Sequence, residues 1–201
     1  MLKTEQNIVY MVQEFDRKLR SITIVSCAPA LLWLLSPNIS FYYPDNIISS
    51  SICEIDQVIK HIETGQIDIG ILPFEYQKDD LCTTHFFTEH LSVCIPFGHS
   101  LCSYDKLTFH DLNGYNRLLW YQLGFWTDLC KRKMPASKFL IQTDESEFFE
   151  LVKSSTLFCF STNYASYPDE ILNDRKRIPI MDDCANVEYW VVWKKGNTYR
   201  F

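Results

Sequence analysis

The stretch His61–Pro73, HIETGQIDIGILP, decides the fold. Ahead of it, Ile55, Val58, Ile59 and Ile62 recur at helical spacing and predict a helix over Glu54–Glu63 with one apolar side. Gly65 stands where a helix closes in the left-handed conformation. Ile67–Leu72 then reads as a buried strand, and Pro73 stops it. Working back toward the N-terminus, Ile47–Ile52 is a second strand, preceded by the turn Tyr43-Pro44-Asp45-Asn46. Ser21–Cys27, SITIVSC, is a β-branched strand, and Ala28-Pro29 opens an apolar helix, ALLWLL, with proline in the first turn where its missing N–H costs nothing. The order is β-α-β-α-β with short connections, which predicts a parallel sheet covered by helices. Before it, Ile8, Val9, Met11, Val12, Phe15 and Leu19 form a helical stripe over residues 5–19.

Downstream the alternation continues. Strands are expected at His90–Pro96, Arg117–Tyr121, Phe139–Gln142, Leu157–Phe160 and Val187–Trp193, and helices at Leu107–Leu112, Phe125–Lys133 and Glu145–Lys153. The chain has 201 residues, 47% of them hydrophobic, enough for a full core in one domain or two small lobes. Its net charge of -6 argues against gripping nucleic acid by electrostatics alone. The basic runs Lys131-Arg132-Lys133 and Arg175-Lys176-Arg177 read as solvated faces.

The eight cysteines, Cys27, Cys53, Cys82, Cys94, Cys102, Cys130, Cys159 and Cys184, include no CxxC pair and no finger-like spacing to histidine, so no metal site is expected. Cys94 and Cys159 lie inside apolar runs, where a thiol behaves as a small hydrophobe. The first twenty residues mix acids and polar groups, unlike a signal peptide. No run of about 18 apolar residues exists to span a membrane. A reduced cytoplasmic protein without cofactor is the expectation. The five tryptophans, Trp33, Trp120, Trp126, Trp190 and Trp193, read as core, with Trp126 the one placed to stack on a ligand.

In open α/β sheets ligands collect beyond the carboxyl ends of the strands. Those ends carry Ser26-Cys27, Ser51, Leu72-Pro73, Tyr121-Gln122 and Ser161-Thr162. Asp68 sits at the opposite, entering end of its strand, where it is expected to accept backbone hydrogen bonds from the loop after Gly65.

The segment order resembles the effector-binding region of LysR-type transcriptional regulators. The motifs that carry the resemblance are Tyr43-Pro44-Asp45, Ile62…Gly65-Gln66-Ile67-Asp68-Ile69-Gly70-Ile71, and Pro96…His99-Ser100-Leu101…Leu107…Asp111-Leu112-Asn113-Gly114. It spans roughly residues 20 to 195. The chain departs from the family in three places. It has no winged helix-turn-helix ahead of the sensor, it is short at the C-terminal end, and it reads Lys153-Ser154-Ser155-Thr156 where the family often has Gly-x-Gly. The first two suggest a piece of a longer protein or a truncated paralogue.

The resemblance implies a two-lobed fold like type 2 periplasmic binding proteins, each lobe a mostly parallel sheet flanked by helices. Residues 1–20 would be a remnant of the linker helix. Lobe I would be 21–91 plus 187–201 and lobe II 92–186, with two crossover strands as hinge. A small-molecule effector would bind between the lobes, and the change would pass to a missing N-terminal DNA-binding domain. Homodimers or tetramers are implied, pairing a helix of one lobe with a strand of the other.

The candidate effector residues are Ser26, Cys27 and Ala28, where helix N–H groups and dipole favour a carboxylate or another anion. Ser51 and Cys53 line the end of the second strand, and Tyr121, Gln122, Ser161 and Thr162 come from the second lobe. The hydroxyls also fit plain helix caps. Two other classes stand beside this reading. A stand-alone solute-binding protein of the same fold would need a secretory signal or lipoprotein cysteine, and neither is present. A thiol-based redox sensor would draw on Cys102, Cys130 and Cys159, which show no recognisable pairing. Catalysis by Cys27 with His99 is not expected, since nothing brings them together and His99 falls on the family's turn histidine.

Overall fold

Strand β1 (Ser21–Ser26) lies between two parallel partners, β2 (Ile47–Ile52) and β3 (Ile69–Leu72). The computed structural model describes residues 20–121, 125–164 and 168–201, so the helical stripe over 5–19 and Gln122 lie outside the described residues. Helix α1 (Pro29–Tyr42) connects β1 to β2, and α2 (Ile55–Glu63) connects β2 to β3. The β-α-β-α-β reading is therefore met element by element. Pro29 occupies the first helical position of α1, and Leu31, Leu35 and Ile39 repeat every four residues along its buried side. Gly65 follows α2 with φ 70°, the left-handed value that glycine adopts without strain.

β3 is buried along its whole length, and α2 lies close over it. A Cβ built on Gly70 would come within 3.1 Å of Val58 Cγ1 and 3.8 Å of Ile62 Cβ. Gly70→Ala should push α2 off the sheet and lower stability by about 1–3 kcal/mol in urea denaturation. A neutral result would show that α2 is free to shift.

Asp68 answers to a different partner than the sequence suggested. Thr23 N–H in β1 donates to Asp68 Oδ2 at 2.8 Å, and Asp68 N–H donates to Thr23 O at 3.1 Å. The regular β1–β3 register starts one step later, at Ile24 and Ile69. The carboxylate thus extends the pairing past the end of the ladder rather than closing the glycine loop. It also raises the Tyr199 hydroxyl, which burial first and the Asp68 charge second push up to about 12.

The described residues group into two compact units. One takes in residues up to Cys27, Leu31–Thr84 and Trp190–Phe201; the other takes in Ala28–Ala30 and His85–Tyr189. Strands β4 (Leu81–Pro96) and β9 (Asn186–Lys194) each cross from one unit to the other along the chain. In the first unit β9 pairs antiparallel with β3, and Val25, Val58, Ile62, Leu72, Leu81 and Val192 form one core.

In the second unit β5 (Arg117–Trp120) and β6 (Phe139–Gln142) are parallel, whereas β7 (Cys159–Thr162) and β8 (Arg175–Pro179) both run antiparallel to β4. β5 and β6 form a two-stranded sheet of their own, and β4 carries the antiparallel pairs. Alternation along β4 sends Val93 and Ile95 to a core with Leu119, Trp126, Leu129 and Phe160. Cys94 faces the other way, toward Leu118, Phe148, Val152, Cys159 and Ile171. Helices α3 (Phe109–Leu112), α4 (Trp126–Lys133), α5 (Glu145–Ser154) and α6 (Asp169–Leu172) complete the unit. α3 opens on a reciprocal cap between Thr108 and Asp111.

Three expectations change here. β4 begins at Leu81, not His90, because Thr83, Thr84, Phe86, Phe87 and Thr88 are strand formers despite their polar neighbours. Arg175-Lys176-Arg177 is not a solvated run. Arg175 is buried and donates to the carbonyls of Leu157, Val152 and Ser155, while Lys176 holds Cys102 O, Tyr104 O and Asp105. Of the tryptophans only Trp126 is buried, and Trp33 is 63% exposed on α1.

Candidate functional site

Parallel pairing aligns the carboxyl ends of β1, β2 and β3 at one edge of the first unit. Ser26 pairs with Ile52 on one side and Ile71 on the other. Cys53 N–H donates to Ser26 O at 3.1 Å, and Cys27 N–H donates to Ile71 O at 3.3 Å. Ser26, Cys27 and Cys53 are thereby brought together where β1 turns into α1. Ser26, Cys27 and Ala28 are buried, and Cys53 is half-buried. Burial, and then the neighbouring Glu54 charge, raise the Cys53 thiol, which leaves it a neutral group at pH 7. Ser51 pairs with Val25 but is exposed on the outer strand.

The first turn of α1 carries no acidic residue. First-turn N–H groups have no acceptor within their own helix, and the helix dipole adds partial positive charge there. A helix start without an acid of its own suits an anion or a neutral acceptor better than a cation.

The residues expected from the second lobe behave differently. Ser161 is buried within β7 and lies 3.3 Å from Cys94 Sγ. Thr162 is buried too, and its Oγ1 accepts from Tyr164 N–H at 3.3 Å. Neither hydroxyl caps a helix in these contacts. Tyr121 is exposed after β5, where its N–H donates to Gln142 O. Gln122 lies outside the described residues.

A buried polar group that sequence reasoning passed over stands in β4. Glu89 is 2% exposed, and its Oε2 accepts from Trp126 Nε1 and from Tyr189 Oη, each at 2.9 Å. Trp126 is thus a core residue with its N–H satisfied, not a surface for stacking a ligand. The one available signal was an acid set among strand formers, Thr88-Glu89-His90-Leu91.

His99 caps the short turn Ser100–Ser103: Leu101 N–H donates to its Nδ1 at 3.2 Å, and its ring meets Tyr115 and Phe158 edge-on. That engagement matches the role expected for it. All eight cysteines are free thiols, and among the described residues no cluster of histidine, cysteine and acids is arranged to hold a metal ion.

The sequence model of the LysR substrate binding domain matches residues 42–199. The chain belongs to the LysR substrate-binding domain family. Solved structures share the fold of this LysR domain at low identity. The reduced OxyR regulatory domain from Pseudomonas aeruginosa is 16% identical, with a TM-score of 0.62, over 88% of this chain and 90% of that one. The regulatory domain of MetR, a LysR family regulator from N. meningitidis, is 11% identical, with a TM-score of 0.68, over 89% and 86%. Full-length CbnR complexed with its target DNA is 13% identical, with a TM-score of 0.61, over 98% of this chain and 74% of that one. No curated protein sequence matches the chain. The type 2 periplasmic-binding-protein-like α/β fold expected from the sequence is thus established.

Proposed function

We propose that this LysR domain senses a small, acidic or hydrogen-bond-accepting effector at the rim formed by Ser26, Cys27, Ala28 and Cys53. The observation that carries the reading is the alignment of the carboxyl ends of β1, β2 and β3, where Cys53 N–H donates to Ser26 O and Cys27 N–H donates to Ile71 O. A ligand that binds one arrangement of the domain better than another shifts the population by that difference in affinity. Coupling to a DNA-binding domain, a cytoplasmic setting and the lobe limits 21–91 plus 187–201 and 92–186 are parts of the same proposal. Ser161 and Thr162, already engaged by neighbours, are secondary candidates, as are Ser51, Tyr121 and Gln122.

A thermal-shift panel of small carboxylates and phosphate tests the site. For a compound that raises the melting temperature, Ser26→Ala should weaken binding by about tenfold or more, the effect of losing one hydrogen bond to a charged group. An unchanged affinity would remove Ser26 from the site.

Self-association belongs to the proposal as well. Trp33, Phe41 and Tyr42 of α1 are exposed, and so are Leu140 and Ile141 on β6. Apolar groups on a helix and on a sheet edge suit the pairing of a helix from one copy with a strand from another. Trp33→Glu or Leu140→Asp should turn an associated protein into a monomer in sedimentation. A wild-type protein that stays monomeric at high concentration would contradict this surface.

A further inference from the structure

Cys94 in β4 stands directly opposite Cys159 in the antiparallel strand β7. Both are fully buried and both are free thiols. Opposite residues of an antiparallel pair hold their Cα atoms about 4.5–5.5 Å apart, inside the roughly 4.4–6.8 Å that a disulfide spans. We propose that Cys94 and Cys159 are a cross-strand dithiol that a hydroperoxide converts reversibly into a disulfide. This site does not depend on the effector reading above.

The surroundings assign the two sulfurs different roles. Arg177 of β8 pairs opposite Cys94 from the other side, and Ser161 Oγ lies 3.3 Å from Cys94 Sγ. Donation from the Cys159 thiol, then from Ser161, with the Arg177 charge added, lowers Cys94 to about 7 against the opposing effect of burial. Cys159 moves the other way, chiefly because its proton is held by Cys94 and then because it is buried. Arg177 and Ser161 both stand beside Cys94, which makes it the nucleophile and Cys159 the resolving thiol. Arg177 is exposed, so the Cys94 sulfur is one side chain from solvent. Phe148, Val152 and Ile171 close the opposite side, which favours a small oxidant over a bulky disulfide.

The Cys94 thiolate attacks one peroxide oxygen, the S–O bond forms as the O–O bond breaks, and the leaving oxygen departs as an alcohol or water after taking a proton. Cys159 sulfur then attacks the sulfenic sulfur, the S–S bond forms, and the S–O bond breaks to release water. The two thiols lose two electrons in total and the peroxide gains them. By contrast, burial raises Cys130 to about 12, which makes it an unreactive internal control.

Treating the purified protein with hydrogen peroxide, then unfolding, alkylating and digesting it, tests the site. The expected result is a linked peptide pair holding Cys94 and Cys159, two fewer alkylatable thiols, and recovery of both with dithiothreitol. Cys159→Ser should leave a sulfenic acid at Cys94 that dimedone traps, a readout that survives if Cys94→Ser does not fold. The proposal is overturned if both residues stay alkylatable while the half-buried Cys82 or Cys102 oxidises, or if Cys94 goes to sulfinic acid with no cross-link.

Discussion

Arg117→Ala is expected to destabilise the second unit by about 3–5 kcal/mol, the sum of a core truncation and several abandoned acceptors. Arg117 is the largest fully buried side chain at the start of β5. Its guanidinium donates to the carbonyls of Leu112 and Tyr115 and to Ser137 Oγ. It also lies against two rings, 5.7 Å from the centre of Phe139 and 5.4 Å from that of Phe160. Burial lowers its pKa to about 10, so it is still a cation at pH 7. The charge is thus held by carbonyl dipoles and ring faces. Arg117→Met keeps most of the packing volume and should lose less than alanine does. Urea denaturation separates the two, and equal losses would assign the whole effect to the polar contacts.

Glu89→Ala is the second large effect, at about 3–4 kcal/mol. Trp126 Nε1 and Tyr189 Oη both donate to Glu89 Oε2, all three groups are buried, and alanine would leave both donors without that acceptor. Glu89→Gln retains a carbonyl oxygen at the same place and should remain within about 1 kcal/mol of wild type. Should glutamine be as damaging as alanine, the negative charge rather than the accepting oxygen would be what the site requires.

These two residues show where sequence reasoning stops. The stripe Ile55, Val58, Ile59, Ile62, the left-handed Gly65 and the apolar Ile67–Leu72 determine local structure through spacing alone, and the first unit followed from them. His99 was legible too, because turn chemistry acts over a few residues. Arg117, Glu89 and Arg175 were not, since their partners come from distant segments and a charged letter reads as solvent-facing by default. Asp68 was recognised as a backbone acceptor, but its donor, Thr23, is 45 residues away and only the sheet brings it there. The thiol pair was hidden for the same reason. Cys94 and Cys159 meet through strand register, which linear spacing cannot reveal.

For the candidate site, parallel topology let the sequence place Ser26, Cys27 and Cys53 at one sheet edge. The sequence could not show that Ser161 and Thr162 already have partners within the second unit.

The most direct measurement is an amide NMR titration of the domain with whichever small carboxylate or phosphate compound raises its melting temperature. The account predicts that the strongest shifts fall on Cys27, Ala28, Ala30, Leu31 and Cys53, and that Ser26→Ala weakens them together. A compound that binds tightly yet leaves those amides unmoved would contradict it.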